Sequence, residues 1–588
     1  MVADSSQQLK KQIAQLVESK RYHKALELAR KAVTVDASDA EVWFALAQLQ
    51  IKLDDTVGAI ESLFRICEFP SAMYKTAIEL GLQLCKEINL DHRGASFAQL
   101  QLQFKPNDAQ ANYFLGKYLF DQQAFLAARP FFEKSLQSNP SSDAVFNFLC
   151  LTHLYTGDAD EALELLNEKI ESGQFGVSLL SLRAVASNYS SRVSDSDVFR
   201  YHKELGASYS KRFAPLSIKT QLKKRKKIAF VSSDFYRHSV SYFFKAILQH
   251  YSKDRFEIYC YQDNNKSDEV TDCFKQMSDH WIESCDMSDQ GLAEHVRNVG
   301  IDILVDLVGH FGKGRLNVFA SRAAPVQVTY LGYPNTTGLS EVDYRITDSW
   351  SDPLGLTDQY YSEKLVRLDG GFLCYSQLES VTQVKQQTHL QSQGRICFGS
   401  FNSFLKLTKE HMRLWVKILN AVPNATLLIK TKPLVEGLLR DRVKAFFESN
   451  GIASGRLDLR GWSDNVNAHL SVYDEVDIHL DSFPYNGTTT TVESLRQGVP
   501  VITLKGDSHR SRVGYSLLSQ VGLKKLVAST EDQYVSLAVQ LAEDPEALQE
   551  LKETLRERVN DSLLMEPIAF TRKLETAFDF MLKQKMGA

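Results

Sequence analysis

The sequence predicts a helical repeat domain followed by an α/β region with two Rossmann-like lobes. Small residues recur 34 positions apart inside segments with helix-period apolar residues, as at Ala25 and Ala59. After Ile228 this pattern gives way to short apolar runs that alternate with helical segments. The alternation occurs in two successive series, and alternating strands and helices indicate parallel sheets with right-handed crossovers.

The repeat domain is assigned to residues 1–185. The same spacing separates two further pairs of small residues, Gly116 and Cys150, and Ala128 and Ala162. A small residue at such a point lets neighbouring helices approach closely, and the unit around Ala95 departs slightly from the register. A helix–turn–helix period of 34 residues resembles the tetratricopeptide repeat, and we predict four to five units. An ordinary helical bundle is the alternative.

Residues 186–227 are predicted to form a helical linker that ends in the basic run Lys223–Lys227. Basic runs of this kind occur in nuclear-localisation and nucleic-acid-binding sequences. We favour the simpler interpretation, in which the run is a solvated lead into the first strand of the α/β region.

The α/β region divides into an N-terminal lobe, residues 228–390, and a C-terminal lobe, residues 391–588. In the first lobe we predict strands at 228–233, 256–261, 301–308 and 326–331, with helices at 240–251 and 288–299. In the second we predict strands at 395–401, 425–430, 457–461, 476–481 and 501–504, with helices at 408–421, 434–449, 489–497 and 511–521. Two such blocks predict a ligand crevice between them. The polar segment 375–394 is the predicted linker between the lobes, and a last helix at 566–585 is predicted to pack back across them.

Composition excludes several classes of function. The hydrophobic share of 44%, the charged share of 24% and the net charge of −4 are typical of globular chains and do not indicate nucleic acid or membrane as a main partner. No apolar run reaches the ~20 residues of a membrane span, and the polar N-terminus lacks a signal-peptide pattern. The eight cysteines form no C-x-x-C pair, which favours a reducing, cytoplasmic location. The nucleus also fits if the source is eukaryotic.

The most informative segment follows a predicted strand and opens a predicted helix. It contains Gly487, then Thr488, Thr489, Thr490 and Thr491, and then Glu493. Backbone N–H groups and hydroxyls at a helix N-terminus form an anion site that suits a diphosphate, and Glu493 is positioned to accept from a ribose hydroxyl. Plain N-capping is the alternative, but one threonine is enough for a cap. The P-loop and dinucleotide-binding patterns are missing from the sequence, which disfavours an ATPase or a dehydrogenase.

Five longer stretches carry a resemblance to a known family: SDFYRHSVSYFF, APVQVTYLGYPNTTGLSEVDYRITDS, FGSFNSFLKLT, LIKTKP and LDSFPYNGTTTTVESLRQGVPVITLKG. They resemble the catalytic region of the SPINDLY/O-GlcNAc transferase family over about residues 228–585, and the family's tetratricopeptide array matches the N-terminal half. The resemblance implies a two-lobed GT-B fold and transfer of a sugar from a nucleotide donor to Ser or Thr of proteins. It implies no metal and no cofactor other than the donor.

Catalytic candidates follow from the same resemblance. His238 matches a family histidine that faces the cleft, and His310 follows another strand of the first lobe; either would steer the acceptor hydroxyl or relay its proton. Asp234 is a weaker candidate base. Lys406 matches a family lysine at the donor diphosphate, where an ammonium stabilises the leaving group. For the two histidines a satisfied loop residue is the alternative, and for Lys406 it is a solvated lysine at a helix start.

Further residues are predicted to surround the donor and the acceptor. His469 has the spacing of the family histidine that stacks on the nucleobase, while Lys430, Lys432 and Arg512 end strands or open helices that face the donor. The segment 332–338 is predicted to be a tight active-site loop, with Tyr333, Pro334, Asn335 and Thr336 near the acceptor. A structural connection between strands is the alternative for any one of these four.

The donor sugar depends on two positions. Thr488 replaces a histidine that the O-GlcNAc transferase branch carries, and Glu493 replaces an aspartate. These and other stretches are more similar to the SPINDLY branch, which implies protein O-fucosylation from GDP-fucose by single displacement with inversion. One alternative is O-GlcNAc transfer from UDP-GlcNAc. A second alternative is a repeat-based scaffold whose transferase lobes are inactive. Lipid or glycan acceptors are disfavoured because no membrane-facing amphipathic helix is apparent. Expected partners are protein substrates bound through the repeats, with homodimer formation through the repeats as an option.

Overall fold

A computed structural model describes residues 2–173, 175–210, 224–312, 314–378, 394–463 and 465–586. The chain forms two compact units, Met1–Thr152 and His153–Ala588. This division lies inside the predicted repeat domain. The last helices assigned to the repeats therefore share a compact unit with the two α/β lobes.

The first unit is built from consecutive helices: α1 (Val2–Glu18), α2 (Tyr22–Val35), α3 (Ala40–Lys52), α4 (Thr56–Ile66), α5 (Tyr74–Glu87), α6 (Asp91–Leu102), α7 (Ala109–Asp121), α8 (Phe125–Ser138) and most of α9 (Asp143–Tyr155). Aspartates fix several helix starts, because Asp39, Asp55 and Asp108 accept backbone N–H groups from the first turns of α3, α4 and α7. The predicted helical repeats are confirmed.

Small residues mark the close approaches between these helices. Ala25 and Ala59 are fully buried, and a Cβ at Gly116 would lie 2.9 Å from the ring of Phe132. The irregular third unit has a simple explanation. The 34-residue spacing leads to Arg93, and it is the next residue, Gly94, whose Cβ would lie only 2.8 Å from Phe114.

Three helices of the second unit precede the lobes: α10 (Ala159–Glu171), α11 (Val177–Ser187) and α12 (Asp195–Ser210). The predicted helical linker thus contains the end of α11 and all of α12. Residues 211–223, which include the first lysine of the basic run, lie outside the described residues.

The N-terminal lobe contains a seven-stranded parallel sheet in the order β3-β2-β1-β4-β5-β6-β7. Its strands are β1 (Lys226–Ser232), β2 (Phe256–Gln262), β3 (His280–Glu283), β4 (Ile303–Asp306), β5 (Val326–Thr329), β6 (Tyr344–Asp348) and β7 (Lys364–Leu368), with helices α13 (Ser239–His250), α14 (Glu269–Met277), α15 (Asp289–Val299) and α16 (Leu316–Ala320). The four predicted strands are present. Three further strands were not predicted: β3 is half-exposed, and polar residues in β6 and β7 hide the apolar pattern.

The C-terminal lobe contains a six-stranded parallel sheet in the order β10-β9-β8-β11-β12-β13. Its strands are β8 (Cys397–Ser400), β9 (Thr426–Lys430), β10 (Leu457–Arg460), β11 (Ile478–Leu480), β12 (Val501–Leu504) and β13 (Val527–Ala528). Its helices are α17 (Lys409–Ala421), α18 (Gly437–Ser449), α19 (Val466–Ser471), α20 (Thr489–Arg496), α21 (Val513–Gln520), α22 (Glu531–Glu543), α23 (Pro545–Asn560) and α24 (Pro567–Met586). All five predicted strands are present, whereas β13, α19, α22 and α23 were not predicted.

The last helix returns to the first lobe, as predicted. Glu575 on α24 accepts hydrogen bonds from the backbone N–H and hydroxyl of Ser252 and from Arg255. Most of the predicted inter-lobe linker, residues 379–393, lies outside the described part of the chain. Among the described helices, none has the length and apolarity to cross a membrane.

Candidate active site

The sequence-predicted site residues follow the carboxyl ends of strands in both sheets. In a parallel sheet these ends form one edge, which is where ligands bind in open α/β folds. Lys406 follows β8 and the threonine run follows β11, and these two strands are neighbours in the second sheet. His238 follows β1 at the corresponding edge of the first sheet.

A buried carboxylate shapes the turn before the threonine run. Asp481 is fully buried, and its carboxylate accepts from the backbone N–H groups of Gly487 at 2.7 Å and Ser482 at 2.8 Å. The hydroxyl of Thr503 donates to its other oxygen at 2.7 Å. Burial raises the pKa of Asp481 to about 6, while these donors and Lys406 act in the opposite direction. The carboxylate therefore holds Gly487 in place rather than facing a ligand.

At the start of α20, some side-chain hydroxyls have no hydrogen-bond partner among the described residues. The buried hydroxyls of Thr489 and Thr491 have no hydrogen-bond partner among the described residues, and Thr488 makes no side-chain cap. A Cβ at Gly487 would lie 2.6 Å from the hydroxyl of Thr490 and 2.8 Å from that of Thr491. Capping would require only one of these hydroxyls. Unpartnered hydroxyls around a helix N-terminus instead fit a bound anion.

Lys406 lies against this helix start. Its Nζ donates to the carbonyl of Asn486 at 2.8 Å and lies 3.8 Å from the ring centroid of Tyr485. Burial lowers the pKa of Lys406 to about 8, and the charge of Asp481 opposes that shift. The ammonium therefore lies next to the residues that precede the threonine run.

Glu493 belongs to a second polar group, which includes His469, Lys430 and Tyr473. His469 Nε2 lies 3.3 Å from a carboxylate oxygen of Glu493, and its Nδ1 lies 2.5 Å from Nζ of Lys430. An ammonium can only donate, so this contact requires Nδ1 to accept and Nε2 to carry the proton. Tyr473 donates to the same Glu493 oxygen at 3.2 Å. Three of the predicted donor residues thus form one connected group.

Lys432 does not join this group. It is exposed, and its Nζ lies 5.6 Å from the ring of Trp462, a side chain that is 71% exposed. Lys430 ends β9 with its side chain turned toward His469, whereas Lys432 lies two residues further on in a 3-10 turn (Lys432–Val435).

Asp234 and His238 lie together at the first sheet. His238 caps α13, since its Nδ1 accepts from the backbone N–H of Val240 at 3.4 Å, and the same nitrogen lies 3.7 Å from Asp234 Oδ2. Burial lowers the pKa of His238, while Asp234 acts in the opposite direction. The imidazole is 38% exposed and is therefore accessible to a substrate.

Helices α13 and α20 both contact the ring of Tyr375. Tyr242 on α13 stacks on Tyr375 with ring centroids 5.3 Å apart. The guanidinium of Arg496 on α20 lies 5.0 Å from the Tyr375 ring. The charge of Glu493 contributes to raising the pKa of Tyr242 to about 12, after the larger effect of burial. Tyr375 of the first lobe thus contacts a helix from each lobe.

The predicted acceptor loop is a buried structural joint. Tyr333 is 2% exposed and Thr336 is fully buried. The hydroxyl of Tyr333 lies 2.7 Å from Nε2 of His202, Thr336 donates to Glu363 at 2.6 Å, and Asn335 donates to Asn188 at 3.0 Å. Pro334 is buried in the same segment. These bonds favour a structural connection, and the acceptor role of Tyr333, Pro334, Asn335 and Thr336 stays a prediction.

His310 and Arg512 also contact other parts of the protein. His310 is buried and its Nε2 lies 2.8 Å from the carbonyl of Thr337, while burial lowers its pKa to about 4. Arg512 donates to the carbonyls of Trp350 at 2.8 Å and Gly506 at 2.9 Å. Nδ1 of His310 is buried without a hydrogen-bond partner among the described residues, and Arg512 joins the two lobes. The catalytic role of His310 and the donor role of Arg512 stay predictions.

Sequence reasoning missed three residues that shape the site. Asn402 accepts from Thr490 at 2.9 Å through its carboxamide oxygen, Asp481 holds the Gly487 turn, and Tyr485 lies under Lys406. Their only signal was proximity in sequence to Lys406 and Gly487. The contacts of Asn402 with Thr490 and of Lys406 with Tyr485 join residues about 80 to 90 positions apart and cannot be read from local pattern.

Comparison with known families gives three matches. The model of glycosyl transferase family 41 matches residues 210–393 and 375–574. A tetratricopeptide repeat model matches residues 95–143, and a model of ChAPs, the Chs5p-Arf1p-binding proteins, matches residues 2–77.

Curated relatives match about two thirds of this chain. A protein from Hordeum vulgare named probable UDP-N-acetylglucosamine–peptide N-acetylglucosaminyltransferase SPINDLY is 42% identical over 406 residues, which cover 68% of this chain and 43% of that protein. The Arabidopsis thaliana protein of the same name is 40% identical, and the match covers 68% of this chain and 44% of that protein. A second Arabidopsis thaliana protein, SEC, carries the same probable activity in its name and is 28% identical. That match covers 60% of this chain and 37% of that protein. The chain thus spans less than half the length of these relatives.

Among solved structures, an O-GlcNAc transferase from Thermobaculum terrenum, a lysine-to-methionine mutant, has a TM-score of 0.76 and 28% identity. The match covers 94% of this chain and 99% of that one. The similarity confirms the predicted architecture of helical repeats followed by two Rossmann-like lobes.

Proposed function

The chain belongs to glycosyl transferase family 41, the SPINDLY/O-GlcNAc transferase family, and we propose that it transfers a sugar from a nucleoside diphosphate to Ser or Thr hydroxyls of proteins. One observation carries the proposal. An ammonium group, Lys406, and a helix N-terminus with unpartnered threonine hydroxyls lie together at the edge of the second sheet. This is the arrangement that a leaving diphosphate requires.

In the proposed reaction the acceptor oxygen attacks the anomeric carbon as the bond from that carbon to the diphosphate oxygen breaks. The electron pair of the broken bond stays on the diphosphate, where Lys406 and the N–H groups of α20 stabilise the added charge. Because these groups supply the positive charge, we propose that the protein needs no metal ion for this step. A single displacement of this kind inverts the configuration of the sugar.

His238 is the proposed acceptor of the hydroxyl proton. Burial lowers its pKa, so the imidazole is neutral near pH 7. In the structure Nδ1 accepts from the backbone N–H of Val240. For Nε2 to take the hydroxyl proton, the ring proton must move to Nδ1, which then gives up that contact and lies 3.7 Å from Asp234 Oδ2.

GDP-fucose is the proposed donor. Thr488 and Glu493 support this choice, since they replace the histidine and aspartate of the O-GlcNAc transferase branch. The relatives carry UDP-N-acetylglucosamine in their names, which makes UDP-GlcNAc the second candidate. A few residues are enough to decide between these two donors. A site built to hydrogen-bond one ligand discriminates strongly against an analogue that lacks the matching groups.

The test has two stages. First, melting curves are compared with and without GDP or UDP, because a ligand that binds only the folded state raises the melting temperature. Second, the protein is incubated with each sugar nucleotide and a mixture of candidate protein acceptors, and intact-mass spectrometry identifies the added sugar. Stabilisation by GDP and addition of a deoxyhexose support the proposal. Preference for UDP with addition of an N-acetylhexosamine would replace fucose by GlcNAc, and no response to either nucleotide would reject the donor site.

Two further proposals concern the setting of the reaction. We propose that protein substrates bind through the helical repeats, since stacked helical repeats present extended binding surfaces. We also propose a cytoplasmic or nuclear location, which the eight unpaired cysteines support.

A further inference from the structure

The aromatic face of Tyr485 contacts the ammonium group of Lys406. Nζ of Lys406 lies 3.8 Å from the centroid of the Tyr485 ring, within the range in which a cation is attracted to an aromatic face. The same Nζ donates to the carbonyl of Asn486 at 2.8 Å. A ring and a carbonyl from consecutive residues thus define where this flexible lysine side chain ends.

Tyr189 lies behind the Tyr485 ring. The two ring centroids are 5.4 Å apart with an interplanar angle of 31°, and Tyr189 is only 6% exposed. Tyr189 follows α11, and its neighbour Asn188 donates to the hydroxyl of Tyr333 in the first lobe at 2.9 Å. The support for Tyr485 is therefore anchored to a helix that precedes both lobes.

The turn before α10 packs against residues 404–407, the loop that contains Lys406. Gly157 has a φ of +78°, and a Cβ there would lie 2.6 Å from the carbonyl of Leu407. The next residue, Asp158, is 4% exposed and accepts from Arg442 at 2.6 Å. Its pKa lies well below the ordinary value, because Arg442 and Lys409 outweigh the effect of burial. Residues from before α10 and after α11 thus bracket residues 404–407.

We propose that Tyr485 is a positioning residue for Lys406, and that Tyr189 holds its ring in place. This inference rests on the proposed function, in which Lys406 meets the leaving diphosphate. An ammonium that misses the developing charge by even a small distance loses much of its effect on the transition state, while ground-state binding of the donor through α20 changes less. Tyr485 thereby connects the helices that precede the lobes to the chemistry of the donor site.

The first test compares Tyr485→Leu with Tyr485→Phe. Loss of the ring is expected to lower kcat about 10-fold, the factor that corresponds to a desolvated cation–π contact of ordinary strength, with less than about a twofold change in donor KM. Phe keeps the ring and is expected to restore most of the lost activity. Tyr189→Leu is expected to lower kcat about threefold, since it removes support without removing the ring.

A double-mutant cycle separates positioning from a general structural role. In a Lys406→Ala background, Tyr485→Leu is expected to change kcat by less than about twofold, because the group that it positions is already gone. An equal 10-fold loss in both backgrounds would overturn the inference, as would equal activity of Tyr485→Leu and Tyr485→Phe. Melting temperatures show whether each variant is folded, and Tyr485→Met replaces Tyr485→Leu in the cycle if the latter does not fold.

The wild-type protein distinguishes this inference from the proposed function. If it neither binds GDP or UDP nor transfers a sugar, the proposed function fails. If it transfers a sugar but the cycle shows no coupling, only the positioning role of Tyr485 fails.

Discussion

The carboxyl edges of the two sheets carry similar motifs but differ in how their polar groups are used. At the second sheet, Thr489 and Thr491 keep unpartnered hydroxyls within the described structure, and Lys406 lies beside them. At the first sheet, Thr336 and Thr337 donate to one buried carboxylate, Glu363. Both segments contain an Asn, a Gly and successive threonines. Motif content alone thus does not separate the two segments, whereas the hydrogen bonds of their threonine hydroxyls do.

The largest expected effect is at Lys406. Lys406→Ala removes the only charge-assisted donor that we assign to the leaving diphosphate, and kcat for sugar transfer is expected to fall about 10²–10³-fold. Steady-state kinetics with saturating donor measure this loss. Lys417→Ala is the matched control, because Lys417 lies on the next helix with a side chain that is 55% exposed. Near-wild-type kcat in Lys406→Ala would contradict the leaving-group role.

Gly487→Ala is expected to have the next largest effect. The added Cβ would meet the hydroxyls of Thr490 and Thr491 within 3 Å and would push them out of the anion site. Donor affinity, measured as the shift of the melting temperature by GDP or UDP, is expected to fall roughly 10-fold or more, which corresponds to about 1.4 kcal/mol.

Gly455→Ala provides the comparison for that variant, since nothing lies within 4 Å of a Cβ built at Gly455. Equal nucleotide affinity in the two alanine variants would mean that the space around Gly487 does not hold the donor.

The pH dependence should reveal the buried lysine. The pKa of Lys406 is lowered to about 8, so the charged form dominates below pH 8 and the neutral form above it. We expect kcat/KM for the donor to fall about 10-fold per pH unit above that value, since this parameter reports the free enzyme. Rates measured between pH 6.5 and 9.5 would test this expectation. A flat alkaline limb up to pH 9.5 would show that Lys406 keeps an ordinary pKa.

The general architecture was predictable from the sequence, and the division between active and structural residues was not. Runs such as residues 256–261 and 425–430 were apolar enough to identify strands, and the threonine run marked a helix start. In contrast, β6 contains Arg345 and Asp348, which are buried through contacts with distant residues such as Asn335 and Ser516. Local hydropathy carries no signal of such contacts.

The same limit applies to the predicted site. His310 and Arg512 have the residue type and strand-end position of functional residues, but their partners come from other loops. Lys430, His469 and Glu493 were predicted separately, and the structure joins them into one hydrogen-bonded group. A sequence shows which side chains have the right chemistry, but only the fold shows which of them the protein has already satisfied.

The smallest expected effect on activity, and the clearest contrast with Lys406, is at Thr336. Thr336→Val keeps the shape of the side chain but removes the hydroxyl that donates to Glu363 at 2.6 Å and accepts from the backbone N–H of Gly338 at 3.0 Å. Loss of buried hydrogen bonds is expected to destabilise the protein by about 1–3 kcal/mol. Below the melting temperature, kcat/KM should stay within about twofold of wild type, because the joint does not contact the donor.

Thr576→Val, on the exposed face of α24, is expected to change stability by less than about 0.5 kcal/mol. If Thr336→Val instead lowers kcat/KM strongly with an unchanged melting temperature, the segment 332–338 belongs to the active site after all, and the contrast between the two sheet edges is wrong.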